Sequence, residues 1–230
     1  MAISYIEWND GGNEMKLLRK LIMCSLVVMT IAGCSSEQKE KKPEVKVLDK
    51  LPDVALNGNK LDIQKMKVQN LIDMGYKVTT MDASLATGKT RPVYGENFDF
   101  TLPADNFSDI FEISDKDGNM VAKITIYNDS KEGLKLENCG VSDMVFTNLH
   151  KDINPDPKLT IGGKNMYHMD TEIAKEEFKD FNYMDSTGTS KYFYTKLGNE
   201  QIEIYINNVG PEKMISQVKL SKPIAKDYSE

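Results

Sequence analysis

Two glycine-centred turns, Asn57-Gly58 and Gly162-Gly163, constrain the fold of this 230-residue chain more than any other feature. Each sits between short apolar runs, and each dipeptide supplies the positive φ that a two-residue β-hairpin requires. Val54-Ala55-Leu56 and Lys60-Leu61-Asp62-Ile63 flank the first turn; the second lies within Lys158–Met166. A helix is predicted after each hairpin. From Gln64 to Met74, Val68, Leu71 and Ile72 fall on one face, Lys65, Lys67, Gln69 and Asp73 fall elsewhere, and Gly75 is a natural stop. After the second hairpin, Asp170 stands at an N-cap position, and Ile173, Phe178 and Phe181 give a helix its apolar side.

Strand patterns follow each helix. In the first segment they are Phe98–Leu102, Phe111–Ile113, Ala122–Tyr127 and Leu134–Phe146, with Thr79–Glu96 poorly patterned. In the second, Tyr192–Tyr194 and Gln201–Ile206 flank Gly198-Asn199, and Met214–Leu220 closes the series. Setting Gly58 on Gly163 and Ile126 on Ile206 leaves spans of 68 and 43 residues, so the first segment carries about 25 more, assigned to the Phe98–Ile113 strands. The expected fold class is α+β, with two related modules (residues 51–150 and 151–225), each a β-hairpin and helix packed on its own antiparallel sheet.

The N-terminal part reads differently. Lys16, Arg19 and Lys20 precede a largely apolar run from Leu21 to Ala32, which ends in Ile31-Ala32-Gly33-Cys34. Twelve residues are too few to span a bilayer, which takes roughly 20. Beyond Cys34, residues 35–50 hold nine charged side chains and Pro43, the composition of a disordered tether. The tetrapeptide resembles the lipobox of bacterial lipoprotein signals, which implies cleavage before Cys34 and lipid on its thiol. Residues 1–33 are therefore expected to be a signal peptide, with Met15 as the true start because Met1–Glu14 lacks the character of an n-region. Two acyl chains at ~0.8 kcal/mol per buried methylene give on the order of 20 kcal/mol of membrane affinity, so the anchor needs no help from the fold.

Losing residues 1–33 removes three acids and three bases, and the net charge stays at −6. Arg91 is then the last arginine, which leaves almost nothing for bidentate phosphate or base recognition, so nucleic acid is not an expected partner. Trp8, the only tryptophan, is also lost. With Cys24 in the signal and Cys34 lipidated, Cys139 is left alone; no intramolecular disulfide is available, and Cys139 is expected to be a small buried hydrophobe on a strand.

A second resemblance rests on Asn57-Gly58, Leu71-Ile72-Asp73-Met74-Gly75-Tyr76 and Asn138-Cys139-Gly140-Val141. These phrases, over residues 51–147, are similar to those of a family of uncharacterised Gram-positive lipoproteins. The twofold order of helix then sheet resembles the tandem modules of the beta-lactamase-inhibitor-protein-like fold. The second segment lacks the Gly-Tyr and cysteine phrases, and the resemblance carries no catalytic residues.

Candidate chemistry is sparse. His150 and His168 have no Cys or Glu at zinc-ligand spacing, so no metal or other cofactor is expected. Asp115, Asp117 and Asn119 open like a calcium loop, but Gly118 falls at the fourth position and Ile126 stands where the bidentate acid belongs, so a hairpin turn is expected. Gly88-Lys89-Thr90 lacks the first glycine of a P-loop, and Ser186–Ser190 has no nucleophile-elbow context. Lys175 and Lys179 interleave with Glu172, Glu176, Glu177 and Asp180, the pattern of a solvated helix flank.

The remaining surface feature is aromatic. Tyr192 and Tyr194 share a strand face, Tyr205 lies opposite the isoleucines of its own strand, and Tyr127 lies opposite Ile124 and Ile126. If the isoleucines face the core, the four tyrosines line the open side of the sheet, where amphipathic rings favour a protein or glycan. The sequence therefore supports a non-enzymatic binding or scaffolding protein, anchored by lipid on the extracytoplasmic face of the cell membrane and facing a cell-envelope protein or glycan. The competing reading is a cell-wall or carbohydrate-active enzyme using a carboxylate pair such as Glu172 and Asp180.

Overall fold

Turn chemistry and strand alternation dominate the observed architecture. The computed structural model describes residues 46–85, 92–149, 158–186, 190–206 and 214–222. Strands in chain order are β1 (Val54–Leu56), β2 (Asn59–Lys60), β3 (Lys77–Thr80), β4 (Thr101–Leu102), β5 (Asn106–Ser114), β6 (Met120–Asn128) and β7 (Leu134–Lys135), then β8 (Gly140–Thr147), β9 (Leu159–Ile161), β10 (Lys164–Asn165), β11 (Asn182–Ser186), β12 (Ser190–Leu197), β13 (Glu200–Ile206) and β14 (Ile215–Ser221). The helices are α1 (Val68–Asp73) and α2 (Thr171–Glu177).

The predicted α+β modules, each with its own helix and sheet, are not what forms. Strands from both segments make one eight-stranded antiparallel sheet, in the order β11-β12-β13-β14-β8-β6-β5-β3. The two hairpins join as β10-β9-β1-β2, and β4 pairs with β7. Helix is a minor component, six and seven residues long. Segments this short are not stable helices alone and exist here through packing.

Pairing shortens α1 at its start. The predicted helix began at Gln64, but Lys67 is extended (φ −109, ψ 162) and bridges Gly140, while the Val141 N–H donates to Met66 O at 3.0 Å. The Lys67 N–H then caps onto Asn70 Oδ1 at 2.8 Å, and Gly75 (φ 89) ends the turn as expected. In α2, Asp170 Oδ1 accepts the Glu172 N–H at 2.7 Å, the predicted N-cap. Ile173 departs from expectation: it is exposed, and Thr171 and Ala174 provide the buried face.

The pairings of the two segments are related by a local twofold. Register about Ala55/Thr160 joins β1 to β9; the Asn57 N–H donates to Lys158 O and the Gly162 N–H to Asp53 O, each at 2.9 Å. β8 and β14 pair about Val145/Lys219. Lys67 bridges Gly140 as Asp170 bridges Met214, and Ile126 pairs with Val141 as Ile206 pairs with Ile215. The residues peculiar to the first segment are those around β4 and β7, not the Phe111–Ile113 strand, which belongs to β5 beside β6 as β12 lies beside β13.

One face of the large sheet is the core. Phe111, Ile113, Ile124, Ile126, Met144 and Phe146 from the first segment join Phe193, Ile202, Ile204, Val218 and Leu220 from the second in a single buried cluster. Val54, Leu56, Leu159 and Ile161 of the small sheet, with Leu71 and Phe178 from the helical turns, complete it. β3 and β11 escaped the sequence pattern because KVTT buries two threonines and NYMDS does not alternate. Cys139 is fully buried but precedes β8 rather than lying on a strand.

Candidate functional site

The face opposite the core is set by period-two alternation, since residues in register across antiparallel strands share a side. Tyr192 pairs with Tyr205, Tyr194 with Glu203, and Lys196 with Gln201. The row continues through Gln217, Lys219 and Ser221, then Thr147, Val145 and Asp143, and reaches Lys123, Thr125 and Tyr127 on β6. All four predicted tyrosines therefore stand on one side of the sheet, away from the isoleucines. Each is half-buried, and no named strand or helix among the described residues covers this face.

Three of the four form a cluster. The Tyr192 and Tyr205 rings stack with centroids 5.0 Å apart at 29°, and Tyr194 tilts at 51° with its centroid 5.9 Å from Tyr192. The Tyr205 hydroxyl donates to Glu203 Oε2 at 2.5 Å, Gln201 Nε2 donates to Glu203 Oε1, and the Tyr192 hydroxyl donates to Met184 Sδ at 3.0 Å. These bonds fix the Tyr192 and Tyr205 rings at low further entropy cost. The alternation already set Glu203 beside Tyr205, but Gln201 and Met184 were not legible. Gln201 opens the strand run, and Met184 lies on the unpatterned edge strand β11.

Tyr127 lies apart from the cluster. Its ring rests over Gly140, with Lys222 Nζ 5.0 Å from the ring centroid and 2.8 Å from the hydroxyl. Lys222 Nζ also donates to Gln64 O at 2.9 Å, so Tyr127 is committed to internal packing.

Burial, and then its hydrogen bond to the Glu203 carboxylate, hold the Tyr205 phenol above the ordinary tyrosine range. Burial and then the Glu203 charge raise Tyr192. A raised folded-state value means the stabilising contribution is fully present below the unfolded tyrosine value, about pH 10, and is lost as pH rises from there through the higher folded value. In urea unfolding at successive alkaline pH values, Tyr205→Phe is expected to lose stability less steeply than the wild type. Identical slopes contradict the Glu203 contact.

A concavity of about 220 Å³ lies beside the first hairpin, with Leu51, Leu197 and Ile202 in its lining. Two of its lining charges pair: Lys60 Nζ is 2.7 Å from Asp53 Oδ1, and that bond, followed by the Lys50 charge, holds Asp53 below the usual carboxylate range. The volume is below the roughly 300 Å³ at which ligand pockets begin.

Other sequence candidates resolve locally. Asp115 Oδ1 accepts the Asp117 and Asn119 N–H groups at 2.9 and 2.8 Å, and Gly118 has φ 86, the geometry of a hairpin turn. Burial pushes Asp115 up, but the hydrogen bonds from Asn119, Asp117 and Gly118 together outweigh it and leave the carboxyl lowered. Glu172 is exposed and paired to Lys175 at 2.7 Å. Burial, then the Glu137 charge, push the Cys139 thiol up to about 11, the opposite of a reactive thiolate. No metal-binding cluster of His, Cys, Asp or Glu occurs among the described residues, and no helix there is long and apolar enough to cross a membrane. Cys34, residues 88–91, His150 and residues 187–189 lie outside the described residues.

No family model, curated protein or solved structure matches the chain.

Proposed function

We propose that this chain is a non-enzymatic binding or scaffolding protein of the cell envelope, held by lipid on Cys34 at the extracytoplasmic face of the cell membrane. The observation that carries the binding half is the half-exposed Tyr192–Tyr194–Tyr205 cluster on a sheet face that no described element covers. Aromatic rings held by stacking, with the Tyr192 and Tyr205 hydroxyls pinned, give large contact area with little ordering cost, the property that concentrates binding energy at interfaces. The partner is an envelope protein or glycan. The anchoring half is supported by the lipobox-like Ile31-Ala32-Gly33-Cys34.

One cell-based experiment tests both halves. Wild type, Cys34→Ala and the triple variant Tyr192→Ala, Tyr194→Ala, Tyr205→Ala are expressed with a photocrosslinking residue at Gln217, on the same face. Cys34→Ala is expected to move from the membrane to the soluble fraction as folded protein. The triple variant is expected to stay at the membrane and lose the crosslinked products of the wild type. A Cys34→Ala protein that remains membrane-bound sinks the anchor, and unchanged crosslinks in the triple variant sink the binding face.

A further inference from the structure

Glu203 accepts from two neutral donors, the Tyr205 hydroxyl and the Gln201 amide, and forms no ion pair among the described residues. Lys219, the cation directly across from it on β14, instead lies 3.3 Å from Asp143. A carboxylate accepts about four hydrogen bonds, so two bonds leave acceptor capacity beside the tyrosine rings. A phenol that donates to a carboxylate also gains electron density on its ring, and the π face of tyrosine already attracts cations. A carboxylate and the adjoining tyrosine rings on one half-buried patch are complementary to an ammonium group.

We propose that Glu203, with Tyr192, Tyr194 and Tyr205, is a receptor for the lysine side chain of a partner polypeptide. This rests on the reading of the open sheet face as the binding surface and names what it recognises there. The ammonium sits against the rings, donates to the free positions of the Glu203 carboxylate, and lets its apolar stem lie along Met184, which is exposed at the sheet edge.

Tetralysine titrated into protein carrying 13C-labelled tyrosine rings, read by NMR, tests the proposal. The wild type is expected to show saturable shifts confined to Tyr192, Tyr194 and Tyr205, with Tyr127 unmoved. Tetralysine acetylated on every side-chain amine is expected to produce none. Glu203→Gln keeps the shape and weakens binding by about tenfold, the scale of one charge-assisted hydrogen bond. Glu172→Gln removes the same charge from the exposed face of α2 and leaves binding unchanged. Unfolding midpoints establish that both variants are folded, and Tyr194→Ala provides a second loss that spares the carboxylate. Equal binding by the acetylated peptide, no effect of Glu203→Gln, or equal weakening by Glu172→Gln, the mark of diffuse attraction to an acidic chain, each overturns the proposal. If the triple tyrosine variant loses its crosslinks in cells while tetralysine leaves every ring unmoved, the binding face stands and the lysine receptor falls.

Discussion

Replacing Phe111 by Ala is expected to lower the unfolding free energy by about 4 kcal/mol, the scale of a large aromatic removed from a packed core. Phe111 is fully buried and pairs with Thr80 and Ile124 on the neighbouring strands. Its ring meets Phe100 edge-on at 4.9 Å and lies parallel to Phe98 at 6.5 Å. Phe98 and Phe100 precede β4 and are themselves held, since the Leu136 N–H donates to Phe100 O and the Gly95 N–H to Phe98 O, so they cannot readily collapse into the vacated space. For a domain whose total stability is about 5 to 15 kcal/mol, the variant should unfold at far lower urea concentration, with an unchanged slope. A loss below about 1.5 kcal/mol, within the range of a volume-conserving swap, contradicts this packing.

Gly140→Ala is the second large effect, and its cause is space rather than backbone conformation, because Gly140 is not among the positive-φ glycines. A Cβ there stands 2.3 Å from Cε1 and Cζ of Tyr127, a distance atoms do not tolerate. The ring cannot yield freely, because Lys222 covers it and is tied in turn to Gln64. Overpacking of this kind costs about 1 to 3 kcal/mol. Adding Tyr127→Ala removes the obstruction, so the double variant is expected to be more stable than the sum of the two single losses implies. Strict additivity in urea unfolding contradicts the placement of the ring over Gly140.

Both effects depend on contacts that sequence pattern does not reveal. Tyr127 was legible as an outward-facing residue of β6, which is where it stands, and the same alternation grouped it with Tyr192, Tyr194 and Tyr205. Its separation from them comes from strand order, which sets β8 and β14 between β6 and β13, and the same pairings bring Gly140 and Lys222 to its ring. The carboxylate that completes the tyrosine cluster was legible as sharing a face with Tyr205. The orientation of Lys219 toward Asp143, which leaves Glu203 to neutral donors, was not.

The helices show where local periodicity misleads. Val68 and Leu71 are buried as their spacing implies, yet the residues before them are taken up in strand-like pairing with Gly140 and Val141. Ile173 satisfies a helical stripe on paper and faces solvent in the fold, because α2 turns Thr171 and Ala174 inward.

By itself, the sequence determined what depends on neighbours along the chain. Positive φ at Asn57-Gly58 and Gly162 makes the hairpins, Asp170 caps α2, and the isoleucine alternation of β13 separates a core face from a tyrosine face. Only the tertiary structure decided that β14 continues onto β8 and β9 onto β1, merging the expected separate sheets into one large sheet and one small one. Turn geometry and strand period are short-range properties with short-range energies. The choice among distant strand partners turns on loop-closure entropy that grows slowly with separation, and on how much apolar area each pairing buries, quantities that no local stretch of residues encodes.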